Sequence, residues 1–356
     1  MQTKGRYHIN KSQACPAILC PMAIYLGHTT ARRILESKLV LDLDRSLYAG
    51  PINCQSGKRE VKSVLQSAFK DANGAAIQNP LYAKPGEPLD LIVSNQNEKR
   101  HWNGVRCHVF HEELPSRSFW LLEEGVFVAC PELCLLQLAS TLSLVDTIKV
   151  AMSYCGIYKL VGDTVSKSIF DRAPIMTVDS ALSYLDCVGE VPGVLNERKA
   201  LQYVLPNSGS PMETRMVLPF YLPKRMGGYG LPKPVMNKQI PIDDVAREIA
   251  GAPSWQHSFA GDAVWTNLKT EDEVVFEFQS KENHDNETAY GSDYARQLAL
   301  ESLGHKVHFV TKEQLRSPEQ MAELARCIVR ETGMRLNPAV FITTDKRRRL
   351  LDEVNS

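Results

Sequence analysis

Apolar positions recur along this chain in two rhythms, a helical one of three to four residues and a strand-like one of two. In the first half, residues 24–26 read as a short strand or helix lead-in. Residues 31–39 read as a helix carrying Ile34 and Leu35, with a threonine cap ahead of Ala31. Gly50-Pro51, Asp71-Ala72-Asn73-Gly74 and Lys84-Pro85-Gly86-Glu87-Pro88 are turn signals. Residues 89–93 and 105–110 read as strands, and 121–130 as a turn feeding another. Pro131-Glu132 opens the strongest helix of this half. Leu133, Leu135, Leu136 and Leu138 make it too apolar for a surface helix and place it in a core. Helical patterns follow at 141–154, 177–185 and 198–204.

The second half is organised by residues 210–310. Ser210 is placed to cap a helix, Pro211 suits the first helical position and Glu213 the third, as in a capping box. Met212, Met216, Val217 and Phe220 supply its apolar side, and Pro223 with Gly227-Gly228-Tyr229-Gly230 ends it. After the extended connector Leu231-Pro232-Lys233-Pro234-Val235 come strand patterns at 237–242, 259–265 and 273–279. The last two are placed to pair antiparallel across a polar turn. A period of two puts Glu277 and Gln279 on one face, Phe276 and Phe278 on the other. The polar segment 280–291 leads to a helix at 293–303, stopped by Gly304, and to a strand at 306–310. Such a strand–helix–strand return is a right-handed parallel crossover. A helix at 319–330 and a strand at 339–343 complete the pattern.

At 356 residues and 39.9 kDa the chain is long enough for two domains. The pattern assigns residues 1–190 to an N-terminal recognition or regulatory module of mixed α/β type. Residues 195–356 form a second domain with a mixed central sheet flanked by helices. With 44% hydrophobic and 23% charged residues the composition is that of an ordinary soluble protein. Lys plus Arg and Asp plus Glu both number 41, which excludes a globally basic nucleic-acid binder but not a local basic face. Arg32 and Arg33 stand near the start of the 31–39 helix, where they meet phosphates or simply face water. Lys346-Arg347-Arg348-Arg349 is a second basic run, ordinarily solvated surface, with nucleic-acid contact as the alternative. The nine cysteines include no CxxC pair, and Cys130 and Cys134 have no second pair to complete a zinc set. Reduced thiols in a cytoplasmic protein are expected. His108 and His111, three apart in a strand-like run, face opposite ways and do not suggest a metal site. There is no signal-peptide pattern and no apolar run of roughly 18 to 20 residues, so no membrane span is expected.

Three carboxylates, Glu213, Asp262 and Glu277, stand at the edges of apolar elements in an order that builds a metal site. Asp262 and Glu277, on paired strands, can converge on one ion, joined by the main-chain carbonyl of Phe278. Glu213 can share the ion from the preceding helix, and Gln279 would sit beside an attacking water. Hydrolysis of a phosphodiester needs an activated water and relief of the charge developing on phosphate. Mg²⁺, or Mn²⁺ in its place, supplies both. The alternative is ordinary: surface strands often carry an Asp and a Glu, Glu-x-Gln arises by chance, and Glu213 would serve as a helix cap.

Residues from Ser210 to about Leu315 resemble the PD-(D/E)XK restriction-endonuclease-like superfamily, most closely the very-short-patch-repair-like domains of bacterial proteins. The resemblance rests on Ser210-Pro211-Met212-Glu213, Gly230-Leu231-Pro232-Lys233-Pro234, Asp262-Ala263-Val264-Trp265, Glu277-Phe278-Gln279, His284 and Asp293-Tyr294-Ala295-Arg296. It implies a restriction-endonuclease-like core with Glu213, Asp262, Glu277 and Gln279 as its active-site signature. Asp293 and Arg296 would steady the site or contact phosphate. The usual lysine is replaced by Gln279, which cannot take up a proton at neutral pH, and Lys281 is the nearest substitute on the same nominal face. More faintly, Gly27-His28-Thr29-Thr30-Ala31, the segment from His108 to His111 and the segment from Gly125 to Leu138 resemble the amino-terminal part of abortive-infection-type antitoxins, where this arrangement accompanies DNA binding. The expectation is a Mg²⁺-dependent DNA endonuclease serving defence, mobile-element control or repair. A homodimer contact or a protein partner would use the first half. A non-cleaving DNA-binding regulator or antitoxin-like protein on the same fold, and an interaction scaffold with a vestigial site, are the alternatives.

Overall fold

The structure, a computed structural model, describes residues 23–37, 40, 43–45, 88–99, 104–110, 113–123, 125–161, 169–267, 269–279 and 287–356. These residues form a mixed α/β protein with two mixed sheets and eleven α-helices. Two compact units emerge. Among the described residues, one takes in those up to Leu138 together with Val161 and Ser183–Pro192. The other takes in Ala139–Leu160, residues 169–182 and Gly193–Ser356. The sequence pattern divides the chain at 190–195, whereas in these compact units residues of the first half contribute to the second.

The first unit is built on a five-stranded sheet of β1 (Ile24–Leu26), β2 (Leu89–Val93), β3 (Val105–Val109), β4 (Phe119–Glu123) and β5 (Val126–Ala129), in the order β3-β2-β1-β5-β4. β1 pairs parallel to β5 and antiparallel to β2, and β2 pairs parallel to β3. The runs of Ile, Leu and Val in β1, β2 and β5 are buried throughout, as continuous apolar strands covered on both faces should be. Helix α1 (His28–Leu35) begins three residues earlier than the apolar pattern suggests, capped by Gly27 without a side-chain bond. Thr30 is therefore no cap. It is buried inside the helix, and its hydroxyl accepts the Asp90 N–H at 2.9 Å. Helix α2 (Pro131–Ala139) is buried along its leucines, as its all-round apolar sequence requires.

The second unit holds α3 (Leu144–Tyr154), capped by Ser143, and α5 (Val194–Leu201). Between them in the chain lie the short strands β6 (Lys159–Val161) and β7 (Ile169–Asp171), which pair, and α4 (Val178–Val188). Helix α6 (Pro211–Tyr221) precedes a four-stranded sheet of β8 (Val235–Pro241), β9 (Ser258–Thr266), β10 (Glu273–Gln279) and β11 (Lys306–Thr311), ordered β11-β10-β9-β8. β8, β9 and β10 are antiparallel neighbours, while β10 and β11 run parallel across the crossover helix α8 (Glu287–Ser302). Ile240, Phe259, Val264, Val275 and Val307 of this sheet pack with Ala246 of α7 (Asp244–Ile249) and with Ala299 and Leu300 of α8. A second cluster joins Trp265 and Phe276 to Phe220 of α6. The Trp265 and Phe276 rings meet edge to face at 5.4 Å, and Phe220 approaches them at 5.8 and 6.0 Å. Such pairs add about 0.5–1.5 kcal/mol each beyond their buried area.

The last part of the unit departs from the expected strand at 339–343. Asn337 caps a 3₁₀ turn, Pro338–Phe341, in which Pro338 takes the first helical position. After α9 (Lys312–Arg316) and α10 (Pro318–Glu331) the chain ends in α11 (Asp345–Asn355), where Thr344 caps the basic run. That run is not uniformly solvated. Arg347 is 4% exposed and lies 3.8 Å from the Tyr229 ring centroid, and its guanidinium donates to the carbonyls of Gly227, Gly228, Val340 and Ile342. Among the described residues no helix is long and apolar enough to cross a membrane.

Candidate functional site

The second sheet places three polar residues in a row. β9 and β10 are in register through Ala263 and Phe276, so Asp262 comes next, opposite Glu277. β8 and β9 are in register at Met236–Ala263 and at Lys238–Gly261, which leaves Asn237 opposite Asp262. Asn237 interrupts that ladder with a φ of 47°, a left-handed conformation that Asn adopts more readily than most residues.

Helix α6 adds the third carboxylate. Ser210 caps it, accepting the Glu213 N–H at 3.1 Å. The Glu213 carboxylate does more than complete the cap, because it reaches back beyond Ser210. Its Oε2 accepts the Gly209 N–H at 2.7 Å and the Asn237 side-chain amide at 2.6 Å. A Cβ on Gly209 would lie 3.0–3.2 Å from this carboxylate and the Asn237 amide, so any larger residue would have to push the cradle back by a few tenths of an ångström. Asn237 also donates to the Asn207 carbonyl at 2.8 Å, tying β8 to the turn before α6.

The other side of the row is held by α8. Arg296 donates to Glu277 Oε1 at 3.0 Å and to the Ala260 carbonyl, with its guanidinium 5.7 Å from the Phe259 ring centroid. Asp262 Oδ2 accepts the Phe278 N–H at 2.8 Å. Glu213, Asp262, Glu277, Phe278, Gln279 and Arg296 all line one cleft of about 280 Å³, whose apolar wall is Leu300, Val307 and Phe309.

Burial and mutual repulsion make this a site of strained ionisation. Glu213 and Glu277 are 8% and 7% exposed. Desolvation, followed by the charge of Asp262, pushes the Glu213 carboxyl up to about 7, against the bonds from Gly209 and Asn237. The Glu277 carboxyl is also held well above the usual carboxylate range by burial and by Asp262. Arg296 opposes that rise and Glu213 adds to it. Among the described residues, three carboxylates therefore meet one guanidinium in a confined space. The donor set is all oxygen and short of positive charge, which suits a hard divalent cation. Among the described residues, however, no three His, Cys, Asp or Glu side chains already stand in a geometry that holds a metal ion. Arg296 takes the Glu277 oxygen instead.

Of the residues singled out in the sequence, the structure brings together Glu213, Asp262, Glu277, Phe278, Gln279 and Arg296. Lys281 and His284 lie outside the described residues, as does the side chain of Asp293. Arg32 and Arg33 belong to the first unit and stand in the last turn of α1, not at its start. Arg32 pairs with Glu36 at 3.0 Å. Asn237 and Gly209, which hold Glu213, were not foreseen. The one signal for them was an Asn inside a strand pattern and a glycine just ahead of a Ser-Pro helix start. No family model, no curated protein and no solved structure matches the chain.

Proposed function

We propose that this cleft binds Mg²⁺, or Mn²⁺ in its place, and that the protein is a DNA endonuclease of the PD-(D/E)XK type acting in the cytoplasm. The observation that carries the reading is the convergence of Glu213, Asp262 and Glu277, from a helix and two strands, on one cleft that holds, among the described residues, a single cation, Arg296. Asp262 and Glu277, with the Phe278 carbonyl, would hold the ion, and Glu213 would share it. A bound ion supplies charge stabilisation at phosphate and a more acidic water. The chain's own residues divide the remaining work. Gln279 has an amide that can orient a water but cannot accept its proton. Arg296 is the group whose charge and fork geometry suit a phosphate oxygen. Leu300, Val307 and Phe309 limit water on the apolar side of the cleft.

One observation favours a second reading, a non-cleaving DNA-binding regulator. Gln279 stands where a proton-transferring lysine would be expected, and Arg296 already occupies Glu277. Calorimetric titration with Mg²⁺ and Mn²⁺, paired with incubation of plasmid and single-stranded DNA, separates the two. Metal binding and nicking that vanish together in an Asp262→Ala, Glu277→Ala double variant establish the nuclease. DNA binding with neither metal binding nor nicking establishes the regulator.

A further inference from the structure

The first unit contains a second cluster of ionisable side chains, centred on Asp90 of β2, which is 1% exposed. β2 and β3 run parallel with Asp90 beside Arg106 and Ile92 beside His108. His108 Nε2 lies 2.8 Å from Asp90 Oδ1, and Arg106 Nη1 lies 3.6 Å from the same oxygen. The His28 ring stacks on the His108 ring with centroids 3.6 Å apart and planes 22° from parallel. Arg33, further along α1, also feels the Asp90 charge. The Arg106 guanidinium and two stacked imidazoles thus gather at one carboxylate, with the Arg33 charge within its field.

The frame beneath these side chains is fixed. Asp90 is pinned through its backbone, its N–H donating to Thr30 and its carbonyl accepting the Gly27 N–H at 3.0 Å. His28 donates its N–H to Gln137 Oε1 at 2.9 Å and accepts the Cys134 thiol at its carbonyl, with a left-handed φ of 46°. The side chains above are not all used. Among the described residues, the ring nitrogens of His28 and the Nδ1 of His108 have no hydrogen-bond partner. The Arg106 side chain is 57% exposed and that of His108 is 26% exposed, so these donors are reachable from solvent.

We infer that this cluster is an anion site that takes a phosphate group, with Arg106 and His28 as donors, His108 joining them when both its ring nitrogens carry protons, and Asp90 orienting the His108 ring. The site stands independently of the carboxylate cleft and of the function proposed for it. A metal ion fits poorly here, because arginines flank the imidazoles and no metal-holding trio exists among the described residues. An anion suits the imbalance of charge. Burial, His108 and Arg106 hold the His28 imidazole down at about 4, against the pull of Asp90. A phosphate placed on these donors reverses the sign of that field. The other groups packed here are Cys134 and Gln137 of α2 and, on α1, Arg33 and the paired Arg32 and Glu36.

The test is a titration of the full chain with inorganic phosphate, against chloride at matched ionic strength, following the His28 and His108 ring resonances by NMR across pH. Both are expected to move saturably with phosphate alone, and the His28 midpoint to rise from about 4. Arg106→Gln should weaken phosphate at least about tenfold, the loss of one charge-assisted contact. His28→Asn, a residue that tolerates the same positive φ, should weaken it similarly without lowering the melting temperature. A short DNA duplex, added to an Asp262→Ala, Glu277→Ala background, identifies the source of the phosphate. Competition at these resonances assigns a backbone phosphodiester, and phosphate binding without competition assigns a small phosphate ester. An equal response to chloride, unmoved resonances, unchanged affinity in Arg106→Gln, or Zn²⁺ binding in preference to phosphate would each overturn the site.

Discussion

Glu213 concentrates the residue-scale consequences of the cleft. Its carboxyl is held near 7 in the folded chain and returns to about 4.5 on unfolding. Between those values the native state binds more protons than the unfolded one. Stability from this group is therefore fully present below about 4.5 and is lost as pH rises through 7. A shift of that size corresponds to roughly 3 kcal/mol. Glu213→Gln should be more stable than the wild type in urea at pH 8 and nearly equal at pH 4, and a parallel loss of stability with pH in both proteins would count against this assignment. Under the proposed function, Mg²⁺ would act on the same imbalance and should raise the melting temperature more at pH 8 than at pH 5. At Asp262 the outcome expected under the proposed function is catalytic. Asp262→Asn keeps the acceptor for the Phe278 N–H but removes charge, and should cut metal-dependent nicking by roughly a hundredfold or more while leaving the fold intact. Comparable nicking by the variant would remove Asp262 from the mechanism.

At the scale of elements, the irregularity of β8 is what couples the helix to the sheet. Asn237→Gly and Asn237→Ala both remove the amide that holds Glu213, but only Ala pays for the left-handed backbone. The Ala variant should be the less stable of the two by about 1 kcal/mol in chemical denaturation. α11 provides a second case. Arg347→Met keeps the apolar stem and strips four carbonyls of their donor, so unfolding free energy should fall by at least about 3 kcal/mol, and Arg347→Lys should not restore it. These same elements mark where the sequence was readable. The strands at 89–93 and 273–279 and the helix opened by Ser210-Pro211 declare themselves through local periodicity and capping, and the carboxylates Asp262 and Glu277 come with them. Positive φ at Asn237 and burial of Arg347 are set by partners distant in the chain, and no local pattern encodes them. A run of Lys-Arg-Arg-Arg looks alike whether it faces water or clamps a turn. The 339–343 segment has strand-like apolar content, yet Asn337 and Pro338 start a 3₁₀ turn there.

For the whole molecule, the crossing of the two units is the main lesson. A fragment starting at residue 195 omits α3, whose Lys149 donates to the Glu353 carbonyl at 3.0 Å and whose neighbour Tyr158 bonds Thr214 of α6 at 2.6 Å. Residues 139–356 should therefore give a cooperative thermal transition, while 195–356 should lose it or melt at least about 10 °C lower, the effect of a few kcal/mol in a domain of this size. Equal transitions would show that α3 is dispensable. The Lys149–Glu353 contact also sets an order in time. The two residues are 204 positions apart, so α3 leaves the ribosome about 10–40 s before its partner exists. Throughout that interval the part of α3 that meets α11 is without its partner, while α5 and α6 are already made. The carboxylate row, which also waits for β9, β10 and α8, is put together late. A cell making this protein thus holds no assembled cleft on a half-made chain.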